Sequence, residues 1–240
     1  MDQPMLSIVV PAFNEAARIG SSLQKIDEFM RGSSMTYEVI IVDDGSTDET
    51  SAIVNQSKLR VLRLVQNHQN HGKGFAVRQG VLAATCNYVL FTDADLSAPI
   101  AESSKLLDVA LREDADVVIG SRAVDRSYIE KHQSPSRELG GVVFNLMVRS
   151  ILGLRLHDTQ CGFKLFHRQK SRRVFERQTT AGFGFDPELL FLARRYGLRI
   201  REVPVQWSHS EGSKVHFMKH AIIMFFDLLR IRWNALTGKY

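Results

Sequence analysis

The sequence predicts an α/β domain with a mainly parallel sheet flanked by helices, and three observations predict it. Short β-branched runs alternate with amphipathic stretches through the first half of the chain. Four of those runs end in polar, turn-forming segments, as the carboxyl ends of parallel strands do where they border a ligand site. The 240 residues are 44% hydrophobic and 24% charged with no low-complexity tract, enough for a sizeable core and too apolar for a disordered chain.

Leu6–Val10 reads as the first strand. Asn14–Met30 reads as the helix after it, because Ile19, Leu23, Ile26 and Met30 recur at spacings of three and four. Val39–Val42 is a second strand, apolar enough to be buried on both faces, and Ser46 to Asp48 supplies cap chemistry for the next helix. Val61–Val65 is the third strand, Lys73–Ala84 a helix, and Tyr88–Thr92 the fourth strand. A helix starts near Pro99 and leads to a strand at Val117–Ile119. Beyond residue 125 the alternation weakens. There Asp125–Ser136 reads as a mobile stretch and Arg137–Leu152 as an apolar helix. Residues 215–240 read as an amphipathic tail mixing Ile222, Phe226 and Trp233 with Lys219, Arg230 and Arg232. No repeat and no Pro/Gly-rich linker divides residues 1–214, so they are expected to form one domain whose halves share a sheet.

The net charge of +5 and pI near 9.3 suit an anionic partner: nucleic acid, a phosphate-bearing substrate or an acidic lipid surface. Cys86 and Cys161 make no disulfide framework and read as buried thiols in a reducing compartment. No basic and apolar leader opens the sequence, and its longest apolar run, Ala221–Phe226, falls far short of the ~20 residues of a spanning helix. A cytoplasmic protein that does not cross a membrane is expected.

Asp93-Ala94-Asp95 sets two carboxylates side by side at the end of a buried strand. Their repulsion calls for a cation, and a hard divalent ion such as Mg²⁺ or Mn²⁺ would bridge them to a diphosphate. Such pairs are common on loops, and the strand context is what gives this one weight. Asp43-Asp44-Gly45-Ser46 offers acceptors for a base N–H or ribose hydroxyls, with Gly45 allowing a tight turn; a helix cap explains the same residues, and the two readings are compatible. His71-Gly72-Lys73-Gly74 has neither the spacing of a Walker loop nor that of a dinucleotide fingerprint, which disfavours P-loop NTPases and NAD enzymes. It still sets a cation and pliant backbone at a helix start, where a phosphate binds. The pairs His68/His71 and His216/His220 lack the glutamate of a zinc motif.

Taken in order, Pro11-Ala12-Phe13-Asn14-Glu15, Asp43 to Ser46, Gly72 to Gly74 and Asp93 to Asp95 resemble glycosyltransferase family 2, whose Rossmann-like fold is called GT-A. Asp158 to Lys164, Phe185 to Leu190, Trp207, Gly212 to Lys214 and Asp227 to Arg232 resemble its dolichyl-phosphate β-glucosyltransferases, so the likeness spans nearly the whole chain. That resemblance implies a nucleotide-sugar half over residues 1–122 and an acceptor half over 123–214. Asn14, Glu15, Asp43 and Asp44 would hold a uridine, with Pro11 and Ala94 in the same motifs, Lys73 near the nucleotide, and Asp93 and Asp95 on the metal and diphosphate. Arg122, Arg137, Ser213 and Lys214 would face an acceptor phosphate, while Asp158 and Glu188 would order a loop or contact sugar hydroxyls. Of these, Asp95, Arg137, Lys214, Asp158 and Glu188 are the expected catalytic group. Ser97 stands where the related mannosyltransferases usually have Gln, which favours glucose. The eukaryotic relatives carry an N-terminal membrane helix with no counterpart in this sequence, so membrane contact is expected through the tail.

A lipid monophosphate has a second pKa near ~6, so its attacking oxygen is ionised at neutral pH and needs no strong base. Single displacement with inversion follows, resting on alignment and on neutralising the departing nucleoside diphosphate. Three alternatives stay open: a soluble or polysaccharide acceptor, a mannosyl donor, and a tail packed on its own domain or on a second copy in a homodimer. A nucleic-acid partner is not expected, because the charges are spread and no reading helix is present.

Overall fold

The computed structural model describes residues 5–33, 35–131, 134–209 and 217–240. The strands are β1 (Met5–Ala12), β2 (Thr36–Asp43), β3 (Leu62–Gln66), β4 (Tyr88–Thr92), β5 (Val117–Ser121), β6 (Ile129–Lys131), β7 (Phe163–His167), β8 (Ile200–Pro204) and β9 (Trp207–Ser208). The helices are α1 (Ile19–Arg31), α2 (Thr50–Asn55), α3 (Lys73–Ala83), α4 (Ser103–Arg112), α5 (Pro135–Leu152), α6 (Arg168–Arg177), α7 (Phe185–Arg195) and α8 (Phe217–Leu236).

Seven strands form one sheet in the order β3-β2-β1-β4-β7-β5-β8, and β6 pairs with β9 in a separate ribbon. All neighbours in the large sheet are parallel except β7, which runs antiparallel to both β4 and β5. The central strands are buried on both faces. Ile8 and Val10 of β1 join α1 and α4 in one apolar layer, whereas Val9 packs with α3 and α7 in the other. This two-sided burial is why β1 and β2 read as unbroken apolar runs rather than alternating ones.

Three departures from the expected elements have physical causes. α1 starts at Ile19 rather than Asn14, because Asn14 has φ 55°, outside the right-handed helical region. α5 starts two residues early, at Pro135, a residue suited to a first helical turn because its missing N–H would be unpaired there anyway. The stretch read as mobile is partly ordered: the Asp125 carboxylate accepts from the Ser127 N–H at 3.0 Å, and β6 pairs with β9.

The second half completes the sheet, through β7 and β8. The register of β7 fixes the site, since Phe163 lies opposite Thr92 and Gly162 therefore sits beside Asp93. Among the described residues no helix is long and apolar enough to cross a membrane.

Candidate active site

The carboxyl ends of β1, β2 and β4 and the start of α3 enclose a cavity of about 420 Å³. Its walls include Pro11, Glu15, Asp44, Lys73, Asp93 and Asp95, so six of the expected donor residues converge, with Ala94 between the last two. This is the size and chemistry of a small-molecule site at the strand ends of an open α/β sheet.

Lys73 Nζ lies 2.7 Å from Asp93 Oδ1, and Arg18 Nη1 lies 3.7 Å from Asp95 Oδ2. Burial acts to lower the Lys73 pKa, but Asp93 and then Asp186 raise it more, so the ammonium stays charged. Arg18 also binds Glu15 through two hydrogen bonds, which raise its own pKa. Arg18 was not singled out from the sequence, where only its i+3 spacing from Glu15 marks it.

Asp93 Oδ1 is buried, with the Lys73 ammonium against it. Carboxylate oxygens are the ligands that a hard divalent ion takes. Among the described residues no three His, Cys, Asp or Glu side chains converge to hold one, so Asp93 and Asp95 would share the ion with diphosphate oxygens and water. The carboxylate has room only because residue 162 is glycine: a Cβ there would lie 2.0 Å from Asp93 Oδ2. Sequence reading passed over Gly162, since no local signal couples it to a carboxylate on another strand.

The two aspartates at the end of β2 divide their work. Asp43 does not line the cavity; its Oδ1 accepts from the Ser46 N–H at 2.9 Å and its Oδ2 from the Ser51 hydroxyl, which holds the turn. That turn needs glycine at 45, where φ is 76°. Asp44 borders the cavity while accepting from Asn67 Nδ2 at 2.8 Å and from the His71 and Gly72 N–H groups at 2.9 and 2.6 Å. Asn14 also works on the turn, its Oδ1 accepting from the Thr47 N–H at 2.8 Å. Asp43 and Asn14 thus hold the turn, while Asp44 and Glu15 border the cavity.

A second cavity of about 440 Å³ opens at the end of β5 under α5, with Arg122, Arg126, Arg149, Val142, Leu146 and Trp207 in its walls. Arg122 is held bidentately by Asp158, Nε to Oδ2 at 2.7 Å and Nη2 to Oδ1 at 2.9 Å, and its guanidinium lies 5.4 Å from the Trp207 ring centre. Asp158, buried in the wall of the same cavity, orders Arg122 and accepts from the Gln160 N–H at 3.1 Å. Burial acts to raise its carboxyl, but Arg122 prevails and holds it at about 2.

That depressed value makes a pH prediction. The ionised Asp158 stabilises the fold above the ordinary carboxylate pKa of about 4, and the contribution fades as pH falls toward about 2. In Arg122→Met the carboxyl rises, so the variant's deficit should grow with pH, reaching on the order of 2 kcal/mol at pH 7. Urea unfolding from pH 3 to 7 measures this, and a deficit of one size at every pH would contradict it.

Glu188 lines neither cavity. It is fully buried in α7 and accepts from the Thr179 and Thr180 N–H groups at 3.0 and 2.8 Å, so of its two expected roles the geometry carries loop ordering, not sugar contact. Another buried pair escaped sequence reading, Lys164 of β7 with Asp186 of α7. Burial pushes the Asp186 carboxyl up while Lys164 and Lys73 pull it down, so it tempers the field beneath Lys73. Cys161 is pushed up to about 12 by burial, which suits a structural thiol. Ser213 and Lys214 lie outside the described residues, and so does the Arg137 side chain, although its backbone belongs to α5.

With that geometry in hand, the family described as "Glycosyl transferase family 2" matches residues 7–175. A dolichyl-phosphate β-glucosyltransferase of Dictyostelium discoideum is 35% identical over 255 residues, 99% of this chain and 77% of the relative. That of Saccharomyces cerevisiae is 36% identical over 260 residues, 100% of this chain and 77% of the relative. Among solved structures, glucosyl-3-phosphoglycerate synthase of Mycobacterium tuberculosis, in complex with Mn²⁺, UDP and glucosyl-3-phosphoglycerate, superposes with a TM-score of 0.71 at 21% identity. The overlap covers 98% of this chain and 80% of that one, a likeness of fold.

Proposed function

Because the chain belongs to glycosyl transferase family 2, we propose that it moves glucose from UDP-glucose onto a dolichyl or other polyprenyl phosphate, with inversion at the anomeric carbon. The observation that carries this reading is the pairing of two cavities. One is acidic, with Asp93, Asp95 and Lys73, and the other mixes guanidinium groups with apolar side chains. The first suits a metal-bound diphosphate, and the second suits a phosphate on an apolar chain.

In this reading Lys73 and Arg18 steady the diphosphate against Asp93 and Asp95, while Arg122 and Arg126 draw the acceptor phosphate toward the anomeric carbon. Asp93 and Asp95 would hold Mg²⁺ or Mn²⁺, which would supply Lewis-acid neutralisation of the leaving group. The Mn²⁺ complex of the mycobacterial fold relative supports that choice. The acceptor oxygen is already ionised, so the protein's part is alignment and charge neutralisation.

The lipid side has a second support. α5 packs on α8; α5, which borders the second cavity, exposes Leu139, Val142 and Leu146, and α8 exposes Phe226 and Trp233. A pair of helices with so large an apolar outer face suits the interfacial zone of an anionic bilayer, so we place the protein peripherally at the cytoplasmic face of a membrane.

The test is an incubation of the protein with vesicles containing polyprenyl phosphate and a panel of UDP- and GDP-sugars. UDP-glucose with Mg²⁺ or Mn²⁺ should yield labelled lipid, EDTA should abolish it, and the protein should float with the vesicles. Transfer only to soluble sugars, by protein that stays in the supernatant, would sink the lipid reading; labelling from GDP-mannose alone would sink the choice of donor.

A further inference from the structure

The loop from Gln178 to Gly184, between α6 and α7, forms part of the first cavity by two routes. Phe183 is a wall residue, and Lys73 Nζ lies 5.9 Å from its ring centre. The first turn of α3, which carries Lys73, lies directly on the loop backbone. Phe75 N–H donates to the Ala181 carbonyl at 3.1 Å and Gln178 Nε2 to the Gly74 carbonyl at 2.8 Å. The approach is close enough that a Cβ on Gly72 would lie 2.6 Å from the Ala181 oxygen, and one on Gly74 2.6 Å from the Thr180 oxygen.

The loop's opposite side is held from far along the chain. Glu188 accepts the Thr179 and Thr180 N–H groups, and the Tyr240 hydroxyl donates to the same carboxylate at 2.5 Å. Asn234 Nδ2 reaches Thr179 Oγ1 at 3.4 Å, and Arg230 Nη2 reaches Thr180 Oγ1 at 3.2 Å. One face of α8 is thus engaged with this loop while Phe226 and Trp233 face outward. Burial and the neighbouring Glu188 push the Tyr240 hydroxyl up to about 12, so it remains a donor at any working pH.

We infer that Tyr240, with Asn234 and Arg230 of α8, forms a positioning clamp for the donor site: it acts through Glu188 to fix the Thr179–Gly184 loop, and through that loop Phe183 and Lys73. The clamp rests on the reading of the first cavity as the donor site. None of its members touches substrate. It places the diphosphate cation under the control of the helix whose outer face we assign to the membrane.

Tyr240→Phe removes one donor and keeps the ring, and Asn234→Ala is the second variant. Two measurements decide the matter. Hydrogen exchange on the free protein should show the Phe75, Thr179 and Thr180 amides exchanging about tenfold faster in either variant, with Tm shifted little. In turnover, the KM for UDP-glucose should rise about tenfold while the KM for polyprenyl phosphate stays within about twofold. Unchanged exchange at Phe75 overturns the clamp, and so does a parallel rise of both KM values with a fall in Tm, which is what general destabilisation would give. Because the exchange measurement needs no nucleotide, inactivity of the wild type toward UDP-glucose counts against the proposed function and leaves the clamp to be decided by Phe75.

Discussion

Gly162→Ala is expected to lower kcat/KM by at least about a hundredfold while the protein still folds, at a stability cost of about 1–2 kcal/mol for the displaced Lys73 contact. The added Cβ would lie 2.0, 2.4 and 2.7 Å from Asp93 Oδ2, Cγ and Oδ1, all inside the closest approach real Cβ atoms tolerate. The backbone has little room to open, because the Asp93 N–H donates to the Gly162 carbonyl at 3.2 Å and the β4–β7 ladder continues directly from it. The carboxylate must therefore swing away, and with it goes the 2.7 Å contact to Lys73. In the proposed reaction Asp93 anchors the diphosphate, and a displacement of about 1 Å at such a group costs on the order of 10² in rate. Gly162 does not have positive φ, so its backbone conformation accepts alanine and the fold should persist. Steady-state kinetics beside thermal unfolding makes the test, with Gly32→Ala as control, since a Cβ there meets only the Phe29 oxygen at 3.5 Å. An alanine variant that keeps wild-type kcat/KM would remove Asp93 from the chemistry.

The same residue shows where the sequence could be read and where it could not. β1, β2 and β4 were legible because a parallel strand covered on both faces is a short unbroken run of β-branched and aromatic residues, closed by polar turn residues. Asp93 and Asp95 stood out for that reason. β7 did not, because its second residue is the fully buried Lys164, and a charge inside a run of five hides a central strand. The charge is tolerable only beside Asp186, 22 residues further on, a pairing with no periodicity to betray it. Once β7 is missed, the neighbour of Asp93 is missed too.

Asp43 and Asp44 illustrate a second limit. Adjacent residues at a strand end project to opposite sides, so one borders the cavity and the other closes the turn, but composition is identical for the two. Glu188 illustrates a third. Its motif was visible, yet the four donors that claim its oxygens come from Thr179, through N–H and hydroxyl, and from Thr180 and Tyr240, so its surroundings are fixed by tertiary contacts alone. The tail was legible as amphipathic, whereas the polar contacts of its inner face with the donor loop were not.

Asp93→Asn and Asp95→Asn are each expected to reduce kcat/KM by about 10³, and to differ in stability. Both keep the side-chain shape and remove one negative charge where, in the proposed reaction, a cation is held against the diphosphate. The losses diverge because the two carboxylates have different partners in the free protein. Lys73 is largely buried, its charge is sustained chiefly by Asp93, and amidation leaves that ammonium facing a neutral group, at a cost of about 1–2 kcal/mol. Arg18 lies 3.7 Å from Asp95 and keeps both hydrogen bonds to Glu15, so Asp95→Asn should fall within about 0.5 kcal/mol of wild type. Lys73 and a divalent ion also compete for the same oxygen, Asp93 Oδ1. Metal affinity of the free protein should therefore be weak and should strengthen when UDP is added, because the diphosphate brings both further ligands and a second partner for the Lys73 ammonium. Titration calorimetry with Mn²⁺, with and without UDP, measures that coupling on wild-type protein, and the two amide variants should lose it. Tight Mn²⁺ binding that ignores UDP, or an Asp95→Asn enzyme running at the wild-type rate, would require the leaving group to be neutralised by other residues.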